Sequence, residues 1–252
     1  MSFAVPADAY DRFMGRYSTR LSAQLADLAG VRSGQRVLDV GCGPGALTAE
    51  LVGRVGAPAV SAVNPSEPFV TAARERHPEV DVRQAGAESL PFEGASFDAA
   101  LAQLVVQFMA DPAAGVAEMR RVTKPGGVVT ACVWDHGGGG GPLSPFWEAA
   151  RDLDGGSDGE SHGVGASAGD LARLFESAGL SAVEETGLSV AVTHPSFEEW
   201  WEPYELGVGP AGSYVAALEP ERRAALREHC RSRLPDPPFA VTARAWAARG
   251  VA

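Results

Sequence analysis

Five short apolar runs alternate with helical patterns between residues 37 and 134, and this alternation restricts the fold more than any other feature of the chain. The runs are VLDV (37–40), APAVSAV (57–63), VDVRQ (80–84), FDAALAQ (97–103) and GVVTACVW (127–134). Among them lie ALTAELV (46–52), EPFVTAARERH (67–77) with Ser66 as a potential cap, and PAAGVAEMRRV (112–122). That spacing predicts parallel strands joined by crossover helices, which is an α/β doubly wound sheet. Nearly continuous apolar strands suit a sheet covered by helices on both faces. Ligands in such sheets bind just beyond the carboxyl ends of the strands. The positions to watch are therefore residues 41–45, Asn64, residues 85–88, Gln103, Asp135 and His136.

Outside this stretch the pattern is less regular. Residues 7–30 read as one or two helices, with Tyr10, Phe13, Met14 and Tyr17 at helical spacing. DHGGGGGP (135–142) and DGGSDGESHGVGASAGD (154–170) read as polar surface loops. LARLFESAG is a further helix, followed by a strand near 182–193, a helical insertion at 196–236 and a last strand, FAVTARAWAA. The expectation is one domain over residues 1–252, with a mostly parallel seven-stranded sheet, N-terminal lid helices at 1–30 and a helical cap inserted before the last strand. Within the insertion, Phe197, Trp200, Trp201 and Tyr204 share one helical face, and Pro203 should kink or end that helix. Such a stripe either packs into the core or lines an apolar acceptor pocket, so Trp200, Trp201 and Tyr204 are candidate pocket residues.

With 252 residues and 45% hydrophobic content, the chain can bury a sizeable core. Its formal net charge of −11 disfavours nucleic acid as a partner. No apolar run reaches the roughly 18–20 residues of a membrane span, and MSFAVPADAYDRFMGRYS lacks a signal-peptide layout. A cytoplasmic protein without a membrane partner, monomeric or homodimeric, is the expectation. Cys42, Cys132 and Cys230 are widely separated and show neither disulfide nor metal-ligand spacing.

The first strand runs into three alternating glycines, RVLDVGCGPGALTAEL. Glycines permit positive φ and close approach of a ligand to the backbone, while the following helix start attracts an anionic group. Residues 41–46 satisfy the dinucleotide fingerprint as literally as any other glycine motif. Asp39, however, would crowd a pyrophosphate of like charge. A zwitterion suits the place better, its carboxylate meeting the amides and its ammonium facing Asp39. The methionine end of S-adenosylmethionine is such a zwitterion.

At this point the sequence resembles a known family. VLDVGCGPG is similar to the first motif of class I S-adenosylmethionine-dependent methyltransferases, of the small-molecule, type 11-like branch. VNPSEPFVTAAR, GAESLPFEGASFDAALAQ and EMRRVTKPGG follow in the family's order, so the resemblance spans roughly residues 10 to 134. It implies a Rossmann-like fold, S-adenosylmethionine as cofactor, and methyl transfer to a small-molecule acceptor. Carried over by position, Asp39, Gly41 and Gly43 would surround the methionine part, and Gln103 would touch it. Asn64 stands where the family has a ribose-binding carboxylate. Gly86 and Ala87 match the adenine-recognising pair, and Glu88 follows as in the family. Tyr10, Arg16 and Tyr17 are the lid residues that would reach the cofactor, and Gln107 is a candidate for the substrate pocket.

The implied reaction needs no covalent nucleophile, and a base only where the acceptor must lose a proton early. His136, just past the fifth strand, is the candidate base, with His194 behind it. No metal is implied. Two other readings stay open: a module that binds the cofactor without transferring methyl, and an NAD-dependent oxidoreductase using the same glycines.

Overall fold

The computed structural model describes residues 7–154 and 163–252, so part of the loop expected at 154–170 and residues 1–6 lie outside the described residues. The strands are β1 (Val37–Val40), β2 (Val60–Asn64), β3 (Asp81–Gln84), β4 (Phe97–Gln103), β5 (Thr123–Trp134), β6 (Ser181–His194) and β7 (Phe239–Val251). Among the described residues they form one sheet in the order β3-β2-β1-β4-β5-β7-β6. The pairs from β3 to β5 are parallel, and β7 runs antiparallel to both β5 and β6. Only short crossovers join the first five strands, which is why the early alternation in sequence was so regular.

Alternate residues of the central strands feed opposite cores, as the two-residue strand period requires. Val37, Ala99 and Leu101 pack into one hydrophobic cluster, whereas Leu38, Val40, Ala100 and Ala102 pack into the other. The first cluster is covered by α2 (Arg16–Leu28), α3 (Ala46–Val55) and α4 (Glu67–Arg76), the second by α5 (Pro112–Val122) and α7 (Asp170–Ser177). β6 sits at the sheet edge, where its outer half alternates buried and exposed residues.

Local chemistry explains the helix ends. Asp111 caps α5 by accepting from the Ala114 amide at 3.0 Å, Pro112 opens the helix, and Arg120 and Arg121 face its negative end. The N-terminal segment comprises α1 (Ala7–Tyr10), a π-helical turn (Asp11–Gly15) and α2. Between β5 and the polar loop lies α6 (Ser144–Asp154), a helix not foreseen from the sequence.

The insertion is helical: α8 (Phe197–Trp201), a 3₁₀ turn (Glu202–Leu206), α9 (Gly209–Ala217) and α10 (Pro220–Arg233). Helix α8 ends one residue before the turn that contains Pro203, as the missing amide of proline requires. No helix among the described residues is long and apolar enough to cross a membrane.

Candidate functional site

Beyond the carboxyl ends of β1 to β5 lies a cavity of about 610 Å³, a size suited to small organic ligands. Residues following each of the five strands line it, and Tyr10, Phe13, Met14 and Ser18 cover it from the N-terminal segment. Val208, Gly209 and Pro210 are the contribution of the insertion. Tyr10 and Phe69, both in the wall, pack edge to face at 5.5 Å and fix the N-terminal segment against α4.

Asp39 is 1% exposed at the end of β1. Thr48 donates its hydroxyl to Asp39 Oδ2 at 2.7 Å, while Oδ1 has no hydrogen-bond partner among the described residues. Burial pushes this carboxyl up to about 7, against the lowering effect of the hydrogen bonds from Thr48. A buried acceptor left open in this way costs free energy until a donor meets it. Gln103 behaves similarly: its Nε2 donates to the Ser18 carbonyl at 3.0 Å, and its Oε1 is unpartnered. Each is an open acceptor in the cavity lining that a donor such as an ammonium group would satisfy.

The glycine bend is narrower in its offer than its sequence suggested. Gly41 and Cys42 donate to the Val63 carbonyl at 2.8 and 3.0 Å, and Gly45 donates to Cys42 at 3.0 Å. Those three amides tie the bend to β2 and to itself and do not receive an anion. Gly43 remains, with φ of 53° and open space around the position of a Cβ, where no atom lies within 4 Å.

Asn64 lines the cavity, yet its Oδ1 is already engaged, accepting from the Ser66 amide at 2.8 Å in the Asn-Pro-Ser turn. Its side-chain amide nitrogen is the group left to face a ligand. Glu88 accepts from the Ala110 and Asp111 amides at 2.8 and 3.3 Å, so it staples the segment after β4 to the segment after β3. A Cβ on Gly86 would lie 2.9 Å from Glu88 Oε2. Ala87, Gln107 and His136 also line the wall. Gln107 donates to the Leu104 carbonyl at 3.2 Å and leaves its Oε1 unpartnered. Desolvation holds His136 down at about 4, with Asp135 acting weakly the other way, so its imidazole is neutral near pH 7.

Two expectations need correction. Arg16 does not line the cavity; it forms an ion pair with Glu199 beside His194. His194 is 3% exposed, with Nδ1 2.7 Å from Glu199 Oε2 and Nε2 3.2 Å from the Tyr17 hydroxyl. A proton on Nδ1 lets the imidazole donate to Glu199 and accept from Tyr17, with Arg16 Nη1 3.2 Å from the same Nδ1. Arg16, Tyr17 and His194 thus bind the N-terminal segment to the insertion rather than to a ligand. The second correction concerns Trp200, Trp201 and Tyr204, which are 3%, 1% and 2% exposed and lie outside the cavity wall. They pack with Phe146 and Phe13, Phe146 stacking on Tyr204 at 4.5 Å and Phe13 meeting it edge-on at 5.3 Å. The unforeseen α6 supplies Phe146 and turns the stripe into core. Among the described residues, Phe13 carries that aromatic mass through to the cavity.

Sequence reasoning did not single out Leu104, which lines the wall with φ of 61°. No residue type marks such a position in advance, and its strained backbone is a feature that clusters at functional sites. Phe13 and Met14 were legible only as part of a helical stripe.

A family model described as a methyltransferase domain matches residues 38–131. Malonyl-[acyl-carrier protein] O-methyltransferase of Erwinia billingiae is 34% identical over 128 residues, covering 51% of this chain and 50% of its own length. The ubiquinone biosynthesis O-methyltransferase of Agrobacterium fabrum is 42% identical over 102 residues, covering 39% of this chain and 40% of its own length. The chain thus spans about half the length or less of these curated relatives. Among solved structures, the YcgJ protein of Bacillus subtilis superposes with a TM-score of 0.59 at 19% identity, covering 94% of this chain and 98% of that one. Strand order, glycine bend and matched segment agree, and over residues 38–131 the chain is similar to methyltransferase domains.

Proposed function

We propose that the cavity binds S-adenosylmethionine and that the protein directs transfer of its methyl group to a small-molecule acceptor. One observation carries the reading: a buried Asp39 oxygen without a partner stands beside a glycine bend whose open side faces the cavity. Asp39 and Gln103 would hold the ammonium, Gly43 the carboxylate, Asn64 the ribose, and Gly86 and Ala87 the adenine. Tyr10 would close over them, so the segment at 1–30 acts as a lid and the insertion at 196–236 as a cap of a single domain.

When bound, the cofactor supplies an electrophilic methyl on a positively charged sulfur. The protein's own part is to hold the acceptor in line and keep water away. His136, neutral in its buried setting, accepts a hydrogen bond from the acceptor and takes up its proton late.

Binding is tested by thermal shift with S-adenosylhomocysteine against NAD. At a hundred times its dissociation constant, S-adenosylhomocysteine should add about 2.7 kcal/mol, a rise of about 5–10 °C, whereas NAD should add nothing. Stabilisation by NAD alone would overturn the assignment. The absence of an acidic group at Asn64 and Gly86 favours, as a second reading, a module that binds the cofactor without turnover. Release of S-adenosylhomocysteine with any acceptor separates the two.

Asn64→Asp gives a sharper test of the ribose position. An aspartate keeps the Ser66 amide on one oxygen and offers the second to a hydroxyl. S-adenosylhomocysteine should bind about tenfold tighter, from one charge-assisted hydrogen bond worth about 1–2 kcal/mol. Unchanged or weaker affinity in a calorimetric titration would remove Asn64 from that role.

A further inference from the structure

The cavity has a charged half and an uncharged half. Its carboxylates are Asp39, near the end of β1, and Glu67 and Glu88, which follow β2 and β3. On the side of β4 and β5, under the N-terminal segment and residues 208–210, the wall is mostly apolar, with the uncharged side chains of Ser18, Gln103, Gln107 and His136 as its polar points. No lysine or arginine lines the cavity among the described residues, and residues 1–6 and 155–162 contain neither type. Three arginines of the flanking segments are engaged with carboxylates outside the cavity wall: Arg12 with Glu202, Arg16 with Glu199, and Arg76 with Asp11.

A carboxylate or phosphate entering the β4–β5 half would therefore lose its hydration and meet no cationic side chain, a cost that disfavours it against an uncharged molecule. Gln107 Oε1 is an acceptor without a partner, and His136 presents a neutral imidazole. Both suit a molecule that brings a hydrogen-bond donor on an apolar body.

We infer that the acceptor is an uncharged molecule, an apolar body carrying a hydroxyl or amine, and that the β4–β5 half of the cavity rejects anionic acceptors. The inference rests on the methyl-transfer reading of this same site and adds the charge class of its substrate.

Calorimetric titration with 2-naphthol and 2-naphthoate, which share a ring system and differ in charge, tests it on the full chain. 2-Naphthol should bind about tenfold or more tightly than 2-naphthoate, because the carboxylate is buried without a partner. Phe108→Arg places a cation in the wall at a residue that is 37% exposed and so accommodates it. That variant should reverse the preference, and Gln107→Lys provides a second cation if the first fails to fold. Equal binding of the two probes, tighter binding of the naphthoate, or no binding of either overturns the inference. A separate titration with S-adenosylhomocysteine keeps the readings distinct. Its failure, with the naphthol preference intact, overturns the cofactor assignment alone; its success, with the preference absent, overturns the acceptor class alone.

Discussion

Replacing Asp39 with asparagine should make the empty protein more stable above about pH 7 and destroy its affinity for S-adenosylhomocysteine. The carboxyl is raised by burial from its ordinary value of 3.8 to about 7. The folded state therefore holds a proton that the unfolded chain releases between about pH 4 and pH 7, so stability from this group is full below that window and lost as pH rises through it. At about 1.4 kcal/mol per unit, the loss at neutral pH approaches 4 kcal/mol. Asparagine has no charge to desolvate and can still accept from Thr48. Its amide finds no acceptor, which returns about 1–3 kcal/mol. A net gain of about 1–3 kcal/mol at pH 8, or a few degrees in Tm, is expected, turning into a loss of about 1–3 kcal/mol near pH 4, where only the unpartnered amide of the asparagine still counts. Affinity should fall on the order of a hundredfold, because a buried ammonium loses its counter-charge. Paired thermal melts across this pH range, with and without S-adenosylhomocysteine, check both parts. A variant less stable than wild type at pH 8 would contradict the burial argument, and one that binds normally would move the ammonium elsewhere.

The sheet was legible because its evidence is local. β1, β4 and α5 coincide with runs whose apolar period and capping residues sit within a dozen positions. Residues placed by the glycine bend and the strand ends, such as Asp39, Gly43, Asn64 and His136, could be aligned to the cavity for the same reason. What stayed hidden depends on distant partners. Arg16 looks free to reach a ligand until Glu199, far along the chain, claims it. The stripe of Trp200, Trp201 and Tyr204 could face a cavity or a core, and Phe146 on α6 decides for the core. Asn64 shows the same limit at short range: its type permits a ligand contact from either end, and the Ser66 amide takes the oxygen.

Two glycines of one bend should divide stability from binding when each is changed to alanine. Gly41 has φ of 76°, and a Cβ there would lie 2.6, 2.8 and 2.9 Å from three carbons of Val105, including its Cβ. Rotation of the valine cannot clear all three contacts, so the segment after β4 must shift. Positive φ costs about 1 kcal/mol for alanine and overpacking about 1–3 more, giving a destabilisation of about 2–4 kcal/mol. Removing the side chain in Gly41→Ala/Val105→Gly should recover the overpacking part, a coupling that a double-mutant cycle reads directly. Gly43 has φ of 53° but open space around it, so Gly43→Ala should cost only about 1 kcal/mol. Its methyl group instead occupies the space through which a ligand reaches the amide. S-adenosylhomocysteine should then bind at least about tenfold more weakly, by loss of that approach and its hydrogen bond. Urea unfolding and calorimetric titration on both variants give the contrast: a large stability loss at Gly41, a large affinity loss at Gly43. Equal stability losses would mean that the bend is only a turn, and an unaffected affinity in Gly43→Ala would mean that the ligand's carboxylate lies elsewhere.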